Sequence, residues 1–402
     1  MKRGAFLAAS AAALAAPHAA RAASPRIALG DDVFVRDGWR ALRGRTVGIV
    51  TNPSGVLSTG ESIADAVVRS GNVRVRALFG PEHGIRGTTG AGEQVGSSID
   101  ARTGLPVHSL YGATRKPTAA MLAGIDVLLF DIQDVGARPY TYISTMAYVM
   151  QAAAAYGKEV WILDRPNPVG GALIDGPVLD PHYASFIGLY PIPERHGMTV
   201  GELARLFNER FGIGCALHVV PMEGWSREMV WADTGLTWIP TSPNMPYART
   251  TLVYLATGLI EAGGVNNGVG TDRPFEYAGG FGFDAPALRD ALAARAIPGV
   301  EFEPTEWSPA RGFWAGKELR GVALTITQPY VFPSVRTAIE ILCAARAQGK
   351  YAVASATGMD RDWGTDTVRR GLAAGATPDA IIAAWEPGLH AFRALREKYL
   401  LY

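Results

Sequence analysis

Three apolar runs of this chain end abruptly in residues that can move protons or hold a polar ligand. ALFG leads into PEHGIRG, with Glu82, His83 and Arg86. VLLF leads into DIQDVGARPYTY, with Asp131, Asp134, Arg138, Tyr140 and Tyr142. WIL leads into DRPNPVGG, with Asp164, Arg165 and Asn167. Paired carboxylates suit cleavage of a glycosidic bond. One gives a proton to the leaving oxygen, while the other stabilises the oxocarbenium-like centre, activates water or attacks directly. A proton donor works best when burial or a neighbouring negative charge favours its neutral form. Glu82 follows an apolar strand and a Gly-Pro turn, and is the first candidate for general acid. Asp131 and Asp134 are open to the roles of base, nucleophile or sugar-orienting group. Arg138 is placed to hold Asp131, and its position before Pro139 favours an extended backbone. Tyr140 and Tyr142 alternate, so both can face a sugar or, equally, pack as core residues with a bonded phenol.

These residues need elements that bring them together. RTVGIVTN (45–52), VRVRALFG (73–80), VHSLYG (107–112), DVLLF (126–130) and EVWILD (159–164) read as strands. ESIADAVVRSG (61–71), KPTAAMLAG (116–124) and TYISTMAYVMQAAAAYG (141–157) read as helices between them. Repeated β-α-β implies a parallel, Rossmann-like layer, and ligands bind beyond the carboxyl ends of such strands. Three strand ends carrying carboxylates therefore predict one shared cleft.

The Pro-rich segment 177–193 reads as a junction, giving domains 23–188 and 189–402. In the second, RHGMTVGELARLFNERFG (195–212) begins a helix. Its T-x-x-E, Thr199 to Glu202, is a capping box that accounts for Glu202. Arg195 and His196 precede the helix start, where an anion is favoured; the alternative is a surface pair. ALHVVPM (216–222) and GVALTITQ (321–328) read as strands, and TPDAIIAAW (377–385) as a helix with Thr377 as N-cap and Pro378 at N1. The loops TSPNMPY (241–247) and GGVNNGVGTDRPFE (263–276) carry Asn244, Arg273 and Glu276. The second loop lacks the Gly-Lys-Ser/Thr of a phosphate loop, and GAGEQVG (90–96) has the wrong spacing for a dinucleotide fingerprint.

A hydrophobic fraction of 48% with 19% charged residues fits a globular protein, and a net charge of +1 gives no reason to expect a nucleic acid partner. Residues 1–22 differ. Lys2 and Arg3 precede an apolar run, and Ala20-Arg21-Ala22 fits a cleavage site. This reads as a secretory signal too short to span a bilayer, so the mature protein is expected to be exported to a periplasm, with no membrane span. Cys215 and Cys343 are expected as free thiols without a catalytic role. A zinc set of His83, Asp131, Asp164 and His196 is the weaker alternative, since no short ligand spacing supports it.

LFGPEHGIRG, LYG, DVLLFDIQDVGARPYTYISTM, LDRPNPVGG, GPVLD, RHGMTVGELA and SPNMP together resemble the YbbC/NamZ-type exo-β-N-acetylmuramidases, glycoside hydrolase family 171. The resemblance spans about Val47 to Tyr402. It implies an α/β fold: a Rossmann-like parallel-sheet N-terminal domain, a smaller C-terminal α/β (α+β) domain and a cleft between them. It also implies release of terminal N-acetylmuramic acid from the non-reducing end of peptidoglycan fragments, with no cofactor. Glu82 stands at the family's PEHG glutamate. Asp131, Asp134, Arg138 and Tyr142 match its DIQD-x-G-x-R-x-YTY motif, and Asp164, Arg165 and Asn167 its DRPNP. His196 matches RHG and Asn244 matches SPNMP. The chain departs from the family at NNGVGT, with Asn266 where Ser is common and Val269 where Arg is common. AGGFGF replaces the usual Gly-Ala-Pro-Trp, while Glu276 is retained. The lost arginine bears on the lactyl carboxylate of muramic acid, for which Arg138, Arg195 or Arg273 can substitute. The competing reading is a non-catalytic binding protein for wall fragments that uses the same cleft.

Overall fold

The computed structural model describes residues 27–87 and 97–402. The leader and GAGEQVG lie outside them. Seven strands form the first sheet: β1 (Thr46–Thr51), β2 (Arg74–Gly80), β3 (Ser98–Ile99), β4 (Pro106–Ser109), β5 (Val127–Asp131), β6 (Glu159–Leu163) and, after the ribbon strands β7 (Asp175–Val178) and β8 (Pro193–Arg195), β9 (Ala216–Val220). Their order is β3-β4-β2-β1-β5-β6-β9, and only β3 pairs antiparallel. The chain builds outward from β1 to one side and then, from β5, to the other. The carboxyl ends of β1 and β5 are therefore the topological switch point, where an open α/β sheet forms its crevice.

The apolar run of β5 is buried from end to end because the sheet is covered on both faces. Leu128 and Phe130 pack with Met146, Val149 and Met150 of the helix Tyr142–Tyr156. Val127 and Leu129 point the other way, toward Phe34, Ile63 and Val67. That helix carries few charges because both its faces are buried.

The second half builds a smaller antiparallel sheet from β10 (Tyr277–Gly280), β11 (Val300–Trp307) and β12 (Leu319–Ile326), in the order β10-β12-β11. Its core, with helices Thr250–Thr257 and Ser334–Ala347, also takes in Val135, Ala137 and Val169 from the first half. The tails of the DIQD and DRPNP loops are thus clamped between the two units. The parallel sheet does not stop at the Pro-rich segment: β9, beyond the division expected at 188/189, pairs with β6.

Most expected elements form, including the Thr199–Glu202 capping box and the helix capped by Thr377 with Pro378 behind it. KPTAAMLAG is a correction. It folds as turns, because Leu122 N–H to the Thr118 carbonyl (3.1 Å) is followed by shorter-range bonds and by Gly124 at φ 72°. A single helical bond does not offset the cost of starting a helix. Cys215 and Cys343 are free and buried. Among the described residues, no helix is long and apolar enough to cross a membrane.

The helix Gly30–Arg36 meets the sheet at closest range. Gly30 N–H donates to the Asp164 carbonyl at 2.9 Å, and a Cβ on Gly30 would come within 2.5 Å of the Val220 carbonyl oxygen. Gly30→Ala is expected to lower unfolding stability by about 1–3 kcal/mol, as overpacking does; an unchanged urea midpoint would show that this contact can relax.

Candidate active site

Asp131 ends β5 opposite Thr51 at the end of β1. It is wholly buried, and its partner is Arg165 rather than Arg138 as the sequence suggested. Arg165 Nε donates to Asp131 Oδ1 at 2.5 Å, and Nη2 to Asp131 Oδ2 at 2.9 Å and to Asp31 Oδ2 at 2.6 Å. Burial pushes the Asp31 carboxyl well above the usual carboxylate range; Arg165 opposes this and the Asp131 charge adds to it. A hollow of about 150 Å³, lined by Ser54, Leu57, Gln133, Trp231 and Ile239, reaches Arg165 but neither Asp131 nor Glu82.

Arg138 instead pairs with Glu194 at 2.6 Å and donates to the carbonyls of Pro177 (3.1 Å) and Asp362 (3.2 Å). Burial raises Glu194 to about 7 against the pull of Arg138. Arg195 donates to the carbonyls of Phe332 and Val169, fastening the ribbon to the second unit. The anion expected before the helix Val200–Glu209 is the chain's own Asp164. It accepts from Gly201 N–H and Thr199 Oγ1, both at 2.8 Å, and from Tyr402 OH at 2.9 Å. Asn167 ties the Met198 carbonyl (3.0 Å) to Val169 N–H (3.1 Å). The shared cleft of three carboxylate-bearing strand ends is therefore corrected: two of those carboxylates are consumed in holding strand ends and loops together.

Glu82 is arranged differently. It is half-buried in the turn closed by Gly84 N–H to the Pro81 carbonyl (2.9 Å). The next residue, His83, is buried and held in the left-handed region at φ 70°, a conformation a non-glycine residue rarely adopts. Thr141 Oγ1 donates to Glu82 Oε2 at 2.7 Å, and the Tyr111 phenol is raised by burial and then by the nearby Glu82 charge. Thr141 is the N-cap residue of the helix Tyr142–Tyr156, yet its hydroxyl serves Glu82 and caps nothing. The Thr141 partner is a hydroxyl. A hydroxyl donates to a carboxylate and accepts from a carboxylic acid, so it can keep Glu82 in place through a proton transfer. The guanidinium on Asp131 has no acceptor and cannot.

Asp134 lies near the same tyrosines as Glu82: the charges of both act on Tyr140 and Tyr254. Asp134 Oδ2 accepts from Gly136 N–H at 2.8 Å and faces His196 Nε2 at 3.6 Å. His196 Nδ1 accepts from Met198 N–H at 3.2 Å, which turns the other ring nitrogen to Asp134. Asp134 Oδ1 is buried and makes no hydrogen bond within the protein. Tyr140 and Tyr142 meet edge to face, 5.0 Å apart, and both bond Thr241: Tyr140 OH to its Oγ1 at 2.7 Å, Tyr142 OH to its carbonyl. Burial raises both phenols well above their ordinary range. The two tyrosines thus pin the TSPNMPY loop beside Asp134 and Glu82.

The remaining expected residues lie in the second unit. Asn244 accepts from Arg311 at 2.9 Å. Glu276 is buried between Arg249 (3.0 Å) and Arg273 (2.7 Å), after Phe275 at φ 66°. Asn266 is a loop brace, donating to the Phe313 carbonyl at 2.7 Å and accepting from Trp307 Nε1 at 2.9 Å. Among the described residues no three of His, Cys, Asp and Glu form a metal-holding group, the zinc alternative included. Sequence reasoning missed Asp31, Thr141, Thr241 and Tyr254. Asp31, in the first turn of the helix Gly30–Arg36, had only its charge to mark it. Thr141 had a signal, as a cap-type residue heading a helix directly after the DIQD motif.

A structural role for Arg138 predicts that Arg138→Ala, which leaves Glu194 buried without its cation, costs about 3–5 kcal/mol in urea unfolding. An Arg138→Ala protein of unchanged stability but weakened substrate binding would return that arginine to the ligand.

Comparison with known proteins agrees along the whole fold. The family models for the N-terminal and C-terminal parts of exo-β-N-acetylmuramidase NamZ match residues 47–249 and 252–402. Peptidoglycan β-N-acetylmuramidase NamZ of Bacillus subtilis (strain 168) is 43% identical over 95% of this chain and 92% of its own. A crystal structure of a DUF1343 family protein from Bacteroides fragilis NCTC 9343 is similar with a TM-score of 0.88 at 37% identity, covering 94% of this chain and 99% of that one. A second DUF1343 family protein from the same strain gives 0.71 at 27%, with the same coverage. The chain therefore belongs to the NamZ exo-β-N-acetylmuramidase family of glycoside hydrolases.

Proposed function

We propose that this protein is an exported exo-β-N-acetylmuramidase, cutting terminal N-acetylmuramic acid from the non-reducing end of peptidoglycan fragments in wall turnover. The signal-like leader supports a periplasmic setting. The observation that carries the catalytic reading is Glu82 held by the Thr141 hydroxyl beside the switch point, with the Asp134 charge near the same Tyr140 and Tyr254. Glu82 gives its proton to the glycosidic oxygen as the bond to the anomeric carbon breaks; Thr141 turns its hydroxyl to bond the carboxylate left behind. Asp134, oriented by Gly136 and His196, is the second carboxylate. It activates water, or it holds the sugar's 2-acetamido group while that group attacks the anomeric carbon. Asp131 is reassigned from chemistry to positioning, because both its oxygens are bonded to Arg165.

The test compares Glu82→Gln with wild type on an N-acetylmuramic acid–N-acetylglucosamine disaccharide and on para-nitrophenyl N-acetylmuramide, with the para-nitrophenyl glucosaminide as control. Wild type is expected to cut both muramides and to spare the control. Glu82→Gln should lose about 10²–10⁴-fold on the disaccharide and far less on the aryl glycoside, whose leaving group needs little protonation. Equal losses on both would make Glu82 the base or nucleophile. Wild-type binding without turnover of either muramide would leave a wall-fragment binding protein and overturn the reading.

A further inference from the structure

A muramic acid substrate brings a lactyl carboxylate, and the arginines that the sequence offers for it are taken. Arg138 and Arg195 are buried on backbone carbonyls and Arg273 is paired with Glu276. Resting on the muramidase reading, we propose that Arg115, at the rim beside Glu82, is the anion subsite that reads this carboxylate.

Arg115 is exposed, and among the described residues it makes no ion pair and no hydrogen bond; the neighbouring Lys116 donates to Gln151 at 3.1 Å. Arg115 is nonetheless held in place. Its Cζ lies 4.3 Å from the centre of the Phe186 ring and 5.4 Å from that of Tyr111. Phe186 is itself fixed by Tyr148, stacked at 5.8 Å, and by Tyr111 at 5.9 Å. Tyr111 follows Ser109, which pairs with Gly80, and Leu110 N–H donates to the Gly80 carbonyl at 2.8 Å, so Tyr111 and Glu82 leave neighbouring strand ends together and the Glu82 charge acts on the phenol. Tyr111 therefore carries the cation on its ring beside the turn that holds Glu82. Contact through the guanidinium face leaves the N–H edge for a ligand, and that edge matches a carboxylate in a bidentate fork. A lysine on the same rings would present a point charge without the fork. Placing this fork at the strand end next to that of Glu82 sets a sugar substituent, rather than a distant part of the glycan, as the group it reads.

The experiment measures kcat/KM on para-nitrophenyl N-acetylmuramide and on its lactyl methyl ester, which keeps the shape and removes the charge. Wild type, Arg115→Ala, Arg115→Gln and Arg115→Lys are compared. Wild type should prefer the acid over the ester by about 10- to 100-fold, the range of a charge-assisted hydrogen bond. Arg115→Ala and Arg115→Gln should erase the preference through KM, with rates on the ester within about twofold of wild type and Arg115→Lys restoring part of it. The preference should also shrink with added salt. A wild type that cuts acid and ester equally, or alanine and glutamine variants that keep the preference, would overturn the subsite while leaving the muramidase reading intact. A wild type that cuts neither muramide would instead overturn that reading.

Discussion

The Arg165 guanidinium, out of water between Asp131 and Asp31, is the constraint on which the rest of the site depends. It joins the end of β5, the loop after β6 and the helix Gly30–Arg36 at the switch point of the sheet. Two carboxylates on one cation would repel strongly if both were ionised there, and burial answers by pushing Asp31 well above its usual range. Replacing such a cluster with apolar side chains often costs no stability. What the charges supply is geometry: a bidentate fork fixes where Asp131 ends, and so where the chain through Gln133, Asp134 and Gly136 begins.

From that fixed point the loop runs between the two units, with Val135 and Ala137 in the core of the second and Arg138 anchored on Glu194. Asp134 is thereby presented toward His196 and the tyrosines, and Thr141 arrives at a helix start facing Glu82. A guanidinium can only donate to a carboxylate, while a hydroxyl can donate or accept. The site separates these two uses among acids that look alike in the sequence. Asp131, on a guanidinium, and Asp164, on a helix start, hold the frame, and the proposed chemistry falls to Glu82 and Asp134.

Much of this was legible beforehand. The continuous apolar run of β5 announced a strand covered on both faces, and the strand–helix alternation announced the parallel layer. Thr199 and Glu202 announced their own capping box. What could not be read was which acid meets which base. Asp131 lies seven residues from Arg138 and thirty-four from Arg165, yet the sheet brings the distant arginine into contact, because β5 and β6 are neighbours whose ends coincide. Asp164 looked like a strand-end site residue, but the helix after it needed an anion and took that one. The turn at KPTAAMLAG failed as a helix for want of consecutive bonds. Phe275 and His83, each in a left-handed conformation beside an acid, carried no signal of it in residue type.

The departure at NNGVGT has a physical sense within this frame. Asn266 bonds Phe313 and Trp307, Asn267 bonds the Thr257 carbonyl and Val269 N–H, and the Val269 side chain packs against the core of the second unit. An arginine at 269 would have to leave that core to reach a ligand, and the loop as it stands has exchanged a charge for packing. Glu276 keeps its place but holds two arginines, so that Arg273 is spent on a carboxylate of its own chain. The second unit then contributes shape and the pinned Thr241 loop. The recognition of negative charge shifts to the first unit, on the same side of the site as Glu82.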